Sequence, residues 1–216
     1  MVRRWSEFVL GLALIALGVA FSIKADLGTS PISSLQYAAS EIWPVSVGTA
    51  TIVTHLFFVS IQIAILRRDF ELRQLLQVPI GMLFGFMIDG SMWMLDGLCV
   101  VSYLAKALYC AVGIVLVGFG VWLEVKPRLL YLAGEGVVVA LTKICSIKLG
   151  YLKVIFDVGL VVVAVLTALC GLGRVVGVRE GTLAAMILVG LIVRALNKFL
   201  LENSSMPRRS FGNNES

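Results

Sequence analysis

Apolar residues run along this chain in long blocks rather than in alternation, and the blocks define its elements. Six stretches, about 7–25, 48–66, 75–95, 103–125, 152–172 and 181–200, are mostly apolar and approach the length of about 20 residues that a helix needs to cross a bilayer. Charged residues gather at their ends. Trp5, Trp43, Trp93 and Trp122 fall near those ends as well, where indole rings favour the membrane interface. Two shorter stretches remain. Pro31–Ile42 and Gly134–Cys145 predict helices of 12 residues, about 18 Å long and too short for a hydrocarbon core of about 30 Å.

The blocks repeat. Gly11 to Lys24 reappears in outline as Gly113 to Lys126, 102 residues later. The same offset pairs Leu14 with Leu116, Leu27 with Leu129, Gly48 with Gly150 and His55 with Asp157. With three spans each, repeats of about 7–95 and 103–200 must lie upside down relative to each other, a duplication found in small transporters and channels. The expected fold is all-α: one polytopic membrane domain over residues 1–200, with six transmembrane helices and two short half-helices in two inverted three-helix repeats. A disordered cytoplasmic tail is expected at 201–216.

The short segments carry start signals. Ser30 suits an N-cap, Pro31 the first helical position and Gly28 a sharp turn. Polar exits at Glu41, Trp43 and Pro44, and at Lys143 and Lys148, favour re-entrance: the chain dips inward as a loop and returns as a helix. The alternative is a pair of interfacial helices lying flat, with Ile32, Leu35 and Ile42 in lipid.

Composition narrows the class. The chain is 59% apolar and 14% charged with mean hydropathy +0.98, against roughly 25% charged for a soluble domain. The net charge of +5 comes from basic residues at the ends of apolar runs, which argues against nucleic acid as a partner. Placing the N-terminus inside puts twelve Lys or Arg, among them Arg3, Arg4, Arg67, Arg68 and Arg73, on the cytoplasmic face. Only Lys24, Lys106, Arg174 and Arg179 stay outside, as the positive-inside rule favours. Arg3 and Arg4 ahead of an apolar run imitate a signal peptide, but no small-residue cleavage site follows before Lys24, so an uncleaved first helix is expected. Cys99, Cys110, Cys145 and Cys170 have no metal or redox spacing.

A helix N-terminus held inside the membrane offers unpaired N–H groups to an anion or carboxylate. The candidate solute contacts are Gly28, Thr29, Ser30 and Pro31 from the first loop, Gly134, Glu135 and Gly136 from the second, and Arg179 at the outer mouth. Glu135 could instead cap its own helix, hold a coupling cation or receive a proton. His55 and Asp157, at equivalent depths in their spans, are candidates for relaying charge or a proton. Their plainer readings are a packing histidine and an i,i+4 ion pair with Lys153. One histidine, no nucleophile elbow and no phosphate-binding glycine loop leave no enzyme site to assign. No catalytic residue, metal or cofactor is expected.

Lys24-Ala-Asp-Leu-Gly-Thr-Ser-Pro-Ile32, Ser46-Val-Gly-Thr-Ala50, the Arg67-Arg68 loop, Gly81 to Asp89 and Gly177-Val-Arg-Glu-Gly-Thr182 resemble the YczE/YyaS/YitT group of bacterial integral membrane proteins. The resemblance runs over nearly all of 7–200. It implies a bacterial cytoplasmic-membrane protein, multi-pass, and supplies neither a substrate nor functional residues. The leading expectation is a transporter or facilitator of a small anionic or zwitterionic solute, with its site at the repeat interface. Two alternatives stand beside it. One is a substrate-binding subunit of a multi-component importer, docking an energising partner through Gly11, Ala16 and Gly18 or Gly113, Gly118 and Gly120, although the same glycines could instead pack the two repeats together. The other is a regulatory or assembly factor with a dry interior. The expected partners are a small-molecule or ion substrate and the lipid bilayer, and a homodimer is compatible with so small a bundle.

Overall fold

The computed structural model describes residues 2–98, 100–127, 129–145 and 147–203. The helices are α1 (Val2–Ala25), α2 (Pro31–Ile42), α3 (Val47–Leu66), α4 (Gln77–Met94), α5 (Tyr103–Val125), α6 (Ala133–Ile144), α7 (Leu149–Leu172) and α8 (Glu180–Asn203). Two short 3-10 turns link α3 to α4. All but α2 and α6 are long and apolar enough to cross a membrane. The expected short helices are both present, the second beginning at Ala133, one residue earlier than the sequence suggested. Helix α8 runs three residues into the expected tail, and 204–216 lie outside the described residues, as do Cys99 and Arg128.

Local chemistry fixes the helix ends. Asp26 (φ 51°) and Gly28 (φ 97°) turn the chain sharply after α1, a backbone region that Asp tolerates and Gly adopts freely. At the start of α3, Ser46 accepts the Thr49 N–H at 3.0 Å. Asp89 of α4 reaches across to accept the Gly48 N–H at 2.7 Å and the Ser46 hydroxyl at 2.6 Å, so a carboxylate meets the positive end of that helix. Gly173 closes α7 in the left-handed conformation.

Glycines build the central seam. Helices α1 and α5 run antiparallel so closely that a Cβ on Gly18 would lie 2.7 Å from the Gly113 carbonyl oxygen, and one on Gly120 2.7 Å from that of Gly11. Without water to expel between helices in lipid, such close backbone approach is what holds them. The packing around the seam is reciprocal: α4 lies on α1 and α8 on α5, while α2 packs against α7 and α6 against α3. The exchange is incomplete in one place, since α3 lies along α4 but α7 and α8 barely meet.

The first turns of α2 and α6 meet inside the bundle. A Cβ on Gly134 would touch the Ile32 side chain at 2.7 Å, with Phe58 beyond it. Ile32, Leu35, Phe58, Val137 and Leu160 form one apolar cluster there. Outward, Val154, Ile155, Val158 and Val162 of α7 and Leu183, Ile187 and Leu191 of α8 are exposed, as a surface solvated by hydrocarbon requires.

Candidate functional site

The loop entering α2 is a hydroxyl-lined mouth. Ser30 caps the helix, its oxygen 3.4 Å from the Ser33 N–H and 2.9 Å from the Ser33 hydroxyl, with Pro31 in the first turn. The fully buried Ser34 hydroxyl reaches three carbonyls, those of Thr29 (3.2 Å), Ser30 (3.0 Å) and Gly177 (2.8 Å). The segment before α8 straps this loop in place. Gly177 accepts the Thr29 N–H at 3.1 Å, and Leu27 accepts the Gly181 N–H at 2.8 Å. Arg179 donates to the Asp26 carbonyl at 2.8 Å. Gly28 is required here twice over, by its φ and because a Cβ would lie 2.5 Å from the Thr182 hydroxyl oxygen. Within the loop is a cavity of about 10 Å³ lined by Ser22, Ile23, Asp26, Gly28, Thr29, Tyr37 and Gly177, room for about one water. Thr29 is 2% exposed, and its Oγ1 has no hydrogen-bond partner.

The loop entering α6 has a different lining. Its N-cap, Leu132, has no side chain able to cap. Glu124, near the end of α5, takes over: its Oε1 accepts the Leu132 N–H at 3.3 Å. The residue is 1% exposed, and its Oε2 has no partner. Glu135 stands in the first turn of α6. Lys153 of α7 donates to Asp157 at 2.7 Å, and Glu124, Glu135 and Lys153 lie within electrostatic reach of one another. On the other side, Gln62 donates to Gln77 at 2.8 Å and to the Ala133 carbonyl at 3.0 Å, and Gln77 returns a bond to Gln62 at 3.3 Å. A Cβ on Gly136 would lie 2.6 Å from the Gln62 amide oxygen.

The structure therefore gathers Gly28, Thr29, Ser30, Pro31 and Arg179 at one mouth and Gly134, Glu135 and Gly136 at the other. The two groups touch only through the apolar cluster of Ile32, Phe58 and Leu160. His55 and Asp157 have separate surroundings. His55 is buried between α3 and α4, against Gly81 and stacked on Phe84 at 5.8 Å, with Nδ1 unpartnered. Asp157 forms its i,i+4 pair with Lys153. Gly11, Gly18, Gly113 and Gly120 are buried in the α1–α5 seam, and Gly118 lies against Ile192 of α8.

Sequence reasoning passed over Glu124, Gln62 and Gln77. Glu124 had two signals: a carboxylate inside an apolar span, and its alignment with Ser22 under the 102-residue offset, which places both residues at the mouth of a half-helix. Asp89 looked like a residue near a helix end and proves to cap a neighbouring helix.

The model of a family of unknown function, DUF6198, matches residues 2–198. The chain is also similar to the "Uncharacterized membrane protein YczE" of Bacillus subtilis (strain 168), 28% identical over 195 residues that cover 90% of this chain and 85% of that protein. No solved structure matches it.

Proposed function

The chain belongs to this family of membrane proteins of unknown function, and from that premise we propose that it is a transporter or facilitator of a small anionic or zwitterionic solute. The observation that carries the reading is the meeting of α2 and α6, first turn to first turn, around Ile32 and Gly134. Helices of 12 residues that begin inside a bundle and end at opposite faces are re-entrant half-helices of two inverted repeats. Their N-termini direct partial positive charge and free N–H groups inward. Irregular backbone at that depth is tolerated when it is packed in protein or lines a polar path. The Thr29 mouth offers an oxyanion the unpartnered Thr29 hydroxyl, with Arg179 at its rim. The Glu135 mouth faces the side with the N-terminus and the Arg67-Arg68 loop, which the charge bias makes cytoplasmic. The apolar layer at Ile32, Phe58 and Leu160 separates the two mouths, and rocking of one repeat against the other would open them in turn.

The test is uptake of small carboxylates and amino acids into proteoliposomes. Ser30→Leu is expected to lower flux about tenfold, the loss of roughly one hydrogen bond to a charged group, and Glu135→Gln to lower it as well. Unchanged flux in both variants would reject the site.

A further inference from the structure

We infer that Glu124 binds a proton and shares it with Glu135, making the mouth of α6 a proton site distinct from the hydroxyl-lined mouth of α2. Three observations carry this. The carboxyl group of Glu124 is inside the bundle, 1% exposed, with Oε1 on the Leu132 N–H and Oε2 on nothing. A lone pair left bare in a low-dielectric interior is a costly vacancy, and a proton fills it.

Charge balance gives the second. Glu124, Glu135 and Asp157 bring three carboxyl groups together, and Lys153, already bonded to Asp157 at 2.7 Å, is the cation that faces them. With all three ionised, two negative charges are uncompensated except by the partial charge of the α6 N-terminus. From the other elements, α1 meets Glu124 through Gly11. Helix α8 meets a different stripe of α5, through Gly118 and Trp122.

The third is geometric: both carboxyl groups attend the start of α6, Glu124 through the Leu132 N–H and Glu135 from the first turn. Protonation forms one O–H bond at Oε2. Hydronium is the donor: one of its O–H bonds breaks and water leaves, while Glu135, in the first turn of α6, carries the proton to Glu124; no electron moves. Glu135 is shared with the proposed solute site, whereas the proton on Glu124 is read spectroscopically with no solute transported.

Infrared difference spectra of the protein in lipid nanodiscs, recorded across a pH ramp, test it. The wild type is expected to show a carboxylic-acid C=O band that titrates and shifts in D2O. That band is lost in Glu124→Gln and kept in Asp89→Asn, whose carboxylate caps α3. In Glu135→Gln, which leaves Glu124 in place and covers the case of a misfolded Glu124 variant, the midpoint moves by about one pH unit, the signature of coupled carboxyls. Absence of a titrating band, its survival in Glu124→Gln, or an unmoved midpoint in Glu135→Gln overturns the proposal.

Discussion

The two half-helices have the same length and the same offset, yet their mouths have opposite chemistry. Around α2 the polar groups are mostly hydroxyls and backbone, Ser22, Thr29, Ser33, Ser34 and the Gly177 carbonyl, with Asp26 held by Lys106 and Arg179 at the edge. Around α6 they are carboxyl groups, an ammonium and two amides: Glu124, Glu135, Asp157, Lys153, Gln62 and Gln77. Equivalent positions hold Ser22 and Glu124, Ser33 and Glu135, His55 and Asp157. The neighbouring elements correspond while the side-chain charge differs. Under the proposed function the α2 mouth, with Arg179 at its rim, is the end that suits an anion, and the carboxyl-rich α6 mouth the end that suits a cation or a proton.

The strongest way to break the comparison is to part the halves. Gly18→Leu forces side-chain atoms onto the Gly113 carbonyl, where a Cβ alone already lies at 2.7 Å. Overpacking against backbone that cannot yield costs about 3 kcal/mol or more, and both mouths should be lost together. The measure is the folded fraction by size-exclusion chromatography after mild solubilisation. A milder test exchanges residues across the repeat. Ser34→Gly removes a hydroxyl in reach of three carbonyls. Gly136→Ser pushes Gln62 off Gln77 and the Ala133 carbonyl. Each should lower stability by about 1–2 kcal/mol, read as a fall in Tm. If either exchange is neutral, the mouths are more alike than their side chains suggest.

Much of this was legible in the sequence because glycine, proline and long apolar runs act locally. Ser30-Pro31 fixed the start of α2, and the glycines at 11, 18, 113 and 120 marked a close helix pair by their spacing and recurrence. What local reading missed depends on neighbours distant in the chain. Nothing near Asp89 announces that α3 needs a cap 41 residues away. Glu124 stands two residues before Lys126, and only folding brings the start of α6 onto it through the Leu132 N–H. The proposed partnership of His55 and Asp157 rested on symmetry alone, and their neighbours differ, Gly81 and Phe84 for His55 and Lys153 for Asp157.

Asp157→Asn sharpens the α6 side. It removes one charge of the i,i+4 pair with Lys153, and the asparagine amide oxygen still accepts from that ammonium, so stability should fall little. Lys153 would then turn to the remaining carboxyls, and the infrared band assigned to Glu124 should change its midpoint while stability hardly falls.

The smallest loss of stability belongs to Thr29→Val. The hydroxyl is buried but makes no hydrogen bond, and valine has nearly the same shape. Removing an unpartnered buried polar atom should cost no stability and should relieve a desolvation penalty of about 1 kcal/mol, so the fold is preserved. If the hydroxyl faces the cavity for the sake of a solute, flux should fall while Tm holds, and the loss should not depend on pH because no titratable group has changed. A Tm lowered by several degrees would mean that Thr29 is paired in the folded protein. Undiminished flux would move the solute contact away from the α2 mouth and leave the carboxyl mouth as the chemically active end.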